Sequence, residues 1–211
     1  MEIIVIVDYG MGNLNSVSKA MQYIVKGKQR VLTTSNPKEI YDSDKVIFPG
    51  QGAAESCMQN IKERNLEDAI IKSASEKPFL GICMGMQILM DKSSENNSTE
   101  CLGIIKGEVK KLNSKNSSGE KIKIPHMGWN NIRQKTNHPI WHKIKDESFF
   151  YFVHSYFVEP SDKSIVVGTT QYDNEFCSVL AFENIVAIQG HPEKSSDVGL
   201  QLLKNFSNIK V

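Results

Sequence analysis

The sequence predicts an α/β fold, with a mainly parallel central sheet, helices on its faces and an antiparallel extension. Three observations carry that expectation. Strand and helix patterns alternate through the first ~90 residues, as βαβ units do. The runs Ile3-Ile4-Val5-Ile6-Val7 and Pro78-Phe79-Leu80-Gly81-Ile82 are apolar without alternation, as befits strands covered on both faces. After the wholly polar stretch 91–100 (DKSSENNSTE), the pattern turns to short strands at close intervals.

In chain order, the first strand ends at Asp8 and a Gly10-Met11-Gly12-Asn13 turn. A helix is expected from about Asn13, with Val17, Met21 and Ile24 along one face. Residues 31–33 and 45–48 read as the second and third strands, the latter stopped by Pro49-Gly50. Helical periodicity covers about 53–75. The 78–82 strand leads into a helix over 84–90 carrying Met86, Leu89 and Met90. Residues 91–100 read as an exposed loop and 113–121 as a polar turn. Strands are expected over 104–112, 122–125, 149–157, 164–170 and 179–188. A helix from about Ser196 closes the chain, its apolar face built from Val198, Leu202, Leu203, Phe206 and Ile209. With no repeat, heptad or long linker, residues 1–211 are expected to form one domain.

The 211 residues carry 25 basic and 24 acidic side chains, a net charge of +1. That balance argues against a phosphate-neutralising face, so no nucleic acid partner is expected, and the lysines of 106–123 read as a solvated surface. The amino-terminal apolar run has no basic flank and no segment approaches a membrane span. A cytoplasmic location follows as the expectation. Cys57, Cys83, Cys101 and Cys177 lie far apart without a C-x-x-C pair, favouring neither a metal site nor a disulfide framework.

Cys83 stands out by its position. Gly81-Ile82-Cys83-Met84-Gly85 spans a strand-to-helix junction, the thiol form of a nucleophile elbow. The helix dipole there favours a thiolate, and the Met84 N–H is aimed where an oxyanion would form. A lone cysteine is more often a packing residue, and the elbow only balances the two readings until a base is found. His191 supplies one. In Gln189-Gly190-His191-Pro192-Glu193 it stands just past a strand end, and Glu193 can orient its imidazole. Those two meet Cys83 if the 185–188 strand lies beside 78–82. His126 and His154 face the same question as His191, whereas His138 and His142 look like plain surface histidines. Pro49-Gly50-Gln51-Gly52, after the third strand, can present backbone N–H groups to a ligand.

These three elements, in this order, resemble the triad-type (class I) glutamine amidotransferase family. Asp8-Tyr9-Gly10-Met11-Gly12-Asn13-Leu14, Ile124-Pro125-His126-Met127-Gly128-Trp129-Asn130, Tyr151-Phe152-Val153-His154-Ser155-Tyr156 and Glu193-Lys194-Ser195 sharpen the likeness. They look like the glutaminase subunits of imidazole glycerol phosphate synthase. The resemblance covers nearly the whole chain and implies a flavodoxin-like three-layer fold with no cofactor. It implies Cys83, His191 and Glu193 as the catalytic triad, with Met84, Gly50 and Gln51 as the oxyanion hole. Glutamine contacts map to Gly52, Gln87, Glu95, Ser155 and Tyr156. A (β/α)₈-barrel cyclase is the implied partner, receiving ammonia at a face that includes Asn13, Met127, Trp129, Tyr151 and Lys194. Trp129 is the expected anchor, against the alternative of an ordinary core tryptophan.

Two positions depart from the family pattern. Position 51 is commonly small and apolar but is Gln51 here, and position 190 commonly carries a bulky aromatic but is Gly190, which removes packing beside His191. Three other readings stay open at this level: a paralogous glutaminase feeding another barrel in surface-sugar biosynthesis, a cysteine hydrolase of similar fold, and a flavodoxin-like binding module with an inert Cys83.

Overall fold

The computed structural model describes residues 1–115 and 119–210. Four strands, β1 (Ile3–Val7), β2 (Arg30–Thr34), β3 (Lys45–Gly50) and β4 (Phe79–Cys83), alternate with helices α1 (Leu14–Val25), α2 (Pro37–Tyr41), α3 (Ala54–Glu63) and α4 (Glu67–Glu76). β4 runs directly into a single helical turn, α5 (Met84–Gln87). Then follow β5 (Lys92–Ser93), β6 (Thr99–Glu100), β7 (Gly107–Lys111), β8 (His126–Gln134) and β9 (Ser148–His154). The chain continues through β10 (Tyr156–Pro160), β11 (Val166–Gln171), β12 (Glu175–Phe182), β13 (Ile185–Ile188) and α6 (Ser196–Asn208).

The sheet runs in the order β2-β1-β3-β4-β13-β12-β10-β7-β5-β6. Neighbours from β2 to β13 are parallel, and antiparallel pairing begins where β13 meets β12. A branch leaves through β11 to β8, which pairs with β9. The two-residue period of the strands sorts the core into two layers. Ile4, Ile6, Ile47, Leu80 and Ile82 pack with Val17 and Met21 of α1 and with Leu202, Leu203 and Phe206 of α6. Val5, Val7, Val46, Phe48 and Phe79 pack with Ile40 of α2, Ile61 of α3 and Ile70 of α4. Helices cover both faces of the parallel strands, which explains why those runs lack polar alternation. The expected mainly parallel α/β sheet with an antiparallel extension is the observed one.

Several elements differ from expectation for identifiable reasons. The 53–75 helix is two helices, broken where Asn65 takes a left-handed φ of 55°. The 84–90 helix is a single turn, and the segment after it is tied elsewhere: Leu102, Ile105 and Gly103 N–H donate to the carbonyls of Ile88, Leu89 and Met90. Residues 91–100 are not a free loop but hold β5, β6 and a short turn, with Ser93 fully buried. The 104–112 strand is β7 alone. Residues 122–125 form no strand; Pro125 has no N–H for a ladder, and β8 begins at His126. The 149–157 run divides into β9 and β10 at Ser155, and 179–188 belongs to β12 and β13, divided at Glu183 with φ 50°. Of the polar turn at 113–121, residues 116–118 lie outside the described residues.

Candidate active site

The carboxyl ends of β3, β4 and β13 lie side by side, with Gly50 paired to Cys83 and Ile188 to Ile82. Register therefore brings the 49–52 loop, Cys83 and the 189–193 segment to one edge, the crevice where open parallel sheets bind ligands. Cys83 is the elbow itself, at φ 54° and ψ −110°. An L-residue there is strained, and such strain persists only where the surroundings enforce it. The flanking glycines supply the enforcement. A Cβ on Gly85 would stand 1.8 Å from the Phe48 carbonyl oxygen, and one on Gly50 would stand 2.2 Å from the Tyr9 hydroxyl. β3 and α5 can approach this closely only without those side chains.

His191 follows β13 and is buried beside Cys83. Its Nδ1 meets Glu193 Oε1 at 2.8 Å, with the two side chains 4% and 1% exposed. Among the described residues, its Nε2 and Glu193 Oε2 are buried with no partner at hydrogen-bond geometry. Burial opposes a charge on His191, but the Cys83 sulfur and the Glu193 carboxylate outweigh it and lift the imidazole from 6.5 to about 10. The imidazolium is thus the favoured form at neutral pH, with one N–H on Glu193 and the other available to a ligand. The loss of packing at Gly190 is met elsewhere. His191 N–H donates to the Tyr151 carbonyl at 2.8 Å, Ser195 Oγ donates to the His191 carbonyl at 2.6 Å, and Tyr151 N–H donates to Ser195 Oγ at 2.9 Å.

Cys83 and His191 open on a cleft of about 320 Å³ that Gln51, Gly52, Met84, Gln87, Glu95, Ser155 and Tyr156 also line. Every residue assigned from the sequence to glutamine contact is in that wall. Glu95 Oε2 accepts from the Ala54 N–H at 2.7 Å, tying the 95–97 turn to the start of α3. The Gln51 carbonyl accepts from the Cys57 thiol at 3.6 Å, and Tyr9 Oη donates to the same sulfur at 3.7 Å. Burial pushes the Cys57 thiol up to about 11, so it serves as a donor. A larger hollow of about 460 Å³, lined by Lys135, Phe157, Lys163, Phe176 and Cys177, holds no nucleophile–base pair. Its lysines are paired with Glu175 and Glu159, and burial pushes the Cys177 thiol to about 12. Chemistry selects the smaller cleft. Among the described residues, no group of three or more His, Cys, Asp or Glu side chains is placed to hold a metal ion.

His126 and His154 are not bases. His154 Nδ1 lies 2.9 Å from the Tyr156 carbonyl, which can only accept, so His154 Nε2 must accept from His126 Nδ1, also at 2.9 Å. Burial lowers His126 to about 4 and His154 to about 3. Their folded-state values lie below the unfolded value of 6.5, so their contribution is present above 6.5 and is lost as pH falls toward 4. Unfolding near pH 5 is expected to take up about one to two extra protons at this pair. His154→Phe should reduce that acid slope in urea titrations at successive pH values, and an unchanged slope would contradict the neutral pair. His138 is a capping residue, its Nδ1 accepting from Ile140 N–H at 3.2 Å; His142 is exposed as expected.

Gln189 was not anticipated. It is fully buried, donates from Nε2 to Cys83 Sγ at 3.7 Å and accepts from Gln87 Nε2 at 2.9 Å. It stands one step beyond the Ile188–Ile82 pair, so only the register could have revealed it. None of the implied partner residues lines the cleft itself. Met127 and Trp129 are each 53% exposed, so Trp129 is no core residue; Trp141 takes that place. Trp129 pairs with Tyr151 and Met127 with the cleft-lining Val153 across β8 and β9. Lys194 Nζ lies 5.9 Å from the Tyr151 ring centre, and α1, which Asn13 begins, packs against the 192–194 turn.

Residues 5–209 match the family model for glutamine amidotransferase class-I. The chain is 50% identical over 207 residues to "Imidazole glycerol phosphate synthase subunit HisH" of Hydrogenovibrio crunogenus, covering 98% of this chain and 96% of that one. Against the protein of the same name from Thiobacillus denitrificans, identity is 49% over 206 residues, covering 96% and 90%. A crystal structure described as a glutamine amidotransferase superposes with a TM-score of 0.71 at 15% identity, covering 96% of this chain and 98% of that one. Among the described residues no helix is long and apolar enough to cross a membrane. By sequence match over nearly its full length and by fold, the chain belongs to the class-I glutamine amidotransferases.

Proposed function

We propose that the chain is the glutaminase subunit of imidazole glycerol phosphate synthase, acting in the cytoplasm as a single domain. It hydrolyses glutamine to glutamate and ammonia and passes the ammonia to a (β/α)₈-barrel cyclase in histidine biosynthesis. The observation that carries the chemistry is the strained Cys83 elbow sharing one cleft with His191, whose imidazole is held by Glu193. The pathway rests on the near 50% identity to proteins named as HisH subunits.

In this reading Cys83 Sγ attacks the side-chain carbonyl carbon of glutamine. The oxyanion is met by the N–H of Met84, first in a helical turn without intrahelical partners, and by the 50–51 peptide. His191 Nε2 gives its proton to the amide nitrogen, which leaves as ammonia and produces a γ-glutamyl thioester. Water then loses a proton to His191 as it attacks, and sulfur departs to give glutamate. Glu193 holds the imidazole throughout. Gly52, Gln87, Ser155 and Tyr156 line the space for the substrate, and Glu95 carries the charge that suits its α-ammonium.

Ammonia freed into water would be protonated and lost as a nucleophile, so a closed exit is needed. The face formed by the exposed Met127 and Trp129 and the half-buried Tyr151, with Lys194 and Asn13, is the docking rim we assign to the cyclase, and Trp129 is its anchor. Glutamate release by the full chain is expected to be weak alone and to rise on the order of 10²-fold or more when cyclase and its nucleotide are added. Absence of glutamate in either state would refute the glutaminase reading, and full turnover by the lone chain would refute gating by the partner.

A further inference from the structure

Gln189 touches the proposed nucleophile yet has no task in the steps above. Its orientation is dictated by backbone. The Tyr156 carbonyl can only accept, so the Gln87 atom 2.9 Å from it is the NH₂ group. That same NH₂ faces Gln189 at 2.9 Å, so Gln189 must present its oxygen there and its own NH₂ to Cys83 Sγ at 3.7 Å. Turning the Gln189 amide over would set two NH₂ groups against each other and an oxygen against the sulfur. The main chain is pinned as well, Gln189 N–H donating to the Ser178 carbonyl at 2.8 Å. Gln189 is not among the residues lining the cleft, so the sulfur is reached from behind while its cleft side stays open to substrate.

We propose that Gln189 is a further catalytic residue: its side-chain N–H stabilises negative charge on Cys83 Sγ, both before attack and when sulfur departs from the thioester. A hydrogen bond to a charged acceptor is roughly twice as strong as one to a neutral acceptor. A thioester sulfur is a poor acceptor, so the contact strengthens each time charge returns to sulfur. That is stabilisation realised at the chemical steps and not in substrate binding. The proposal rests on Cys83 being the nucleophile.

The test is the pH profile of Cys83 alkylation by iodoacetamide in the full chain, read by mass spectrometry of the Cys83 peptide. Burial pushes Cys57 to about 11 and Cys101 and Cys177 to about 12, which keeps them silent near neutrality. Gln189→Met, similar in size but without the donor, is expected to slow labelling at pH 7 about tenfold and to move the profile to higher pH. Gln189→Glu should slow it further. Glutamine kcat should fall with KM held. If the Met variant does not fold, Gln189→Asn draws the donor back by one methylene and carries the same expectation. Profiles that match wild type in the folded variants overturn the proposal while leaving the nucleophile in place. Labelling of wild type at another cysteine overturns the nucleophile, and the proposal with it.

Discussion

Replacing Cys83 by serine or alanine is expected to abolish glutamine-dependent synthesis, by on the order of 10⁴-fold or more, and to leave ammonium-dependent synthesis by the complex intact. The size follows from covalent catalysis: without the sulfur there is no thioester, alanine leaves His191 no nucleophile to serve, and the serine hydroxyl is far harder to ionise than a thiol. Ammonium salts bypass the step, since the barrel carries out its own chemistry on free ammonia. Equal loss with both nitrogen donors would contradict the division of labour. The elbow adds a second readout. At φ 54° a side chain is strained, whereas glycine is not. Cys83→Gly should therefore be more stable than Cys83→Ala by about 1 kcal/mol, although both lack the thiol. Equal melting of the two would mean that the turn stores no strain.

Much of this site was legible because its parts are local. Gly81 to Gly85 encode a turn that only small flanking residues permit, and His191 and Glu193 stand two residues apart, so one short segment contains both base and orienter. The parallel layers could be read from β-branched runs without alternation. What escaped depended on pairing at long range. β8 went unseen because Gly128, Asn130, Asn131 and Gln134 dilute its alternation, and its burial is decided by Phe150 and Phe152 across the ladder from it. Beyond the single turn of α5, the carbonyls of residues 88–90 are taken by N–H groups of residues 102–105, a long-range pairing that local periodicity does not record. Gln189 reaches Cys83 only through the parallel register of β13 on β4, which no local pattern records.

Glu193→Gln should lower glutaminase kcat by on the order of 10³- to 10⁴-fold while barely changing KM for glutamine. KM is spared because Glu193 is not among the cleft-lining residues. kcat falls because the neutral amide can turn its NH₂ toward His191 Nδ1, which holds the neutral ring in the tautomer protonated at Nε2 and leaves no lone pair there to take the proton of the attacking water. The same substitution tests where the proton resides. His191 has a folded-state pKa of about 10 against 6.5 unfolded, lowered by burial but raised more by Cys83 and Glu193. A raised value means that this contribution to stability is complete below 6.5 and is lost as pH climbs through 10. Lysines, tyrosines and the other thiols also titrate toward the upper end, so the informative quantity is wild type minus variant. That difference should be largest near pH 6 and shrink toward pH 10 in urea unfolding. A difference that stays flat would place the proton-holding charge on Cys83 alone, leaving Glu193 to orient the ring.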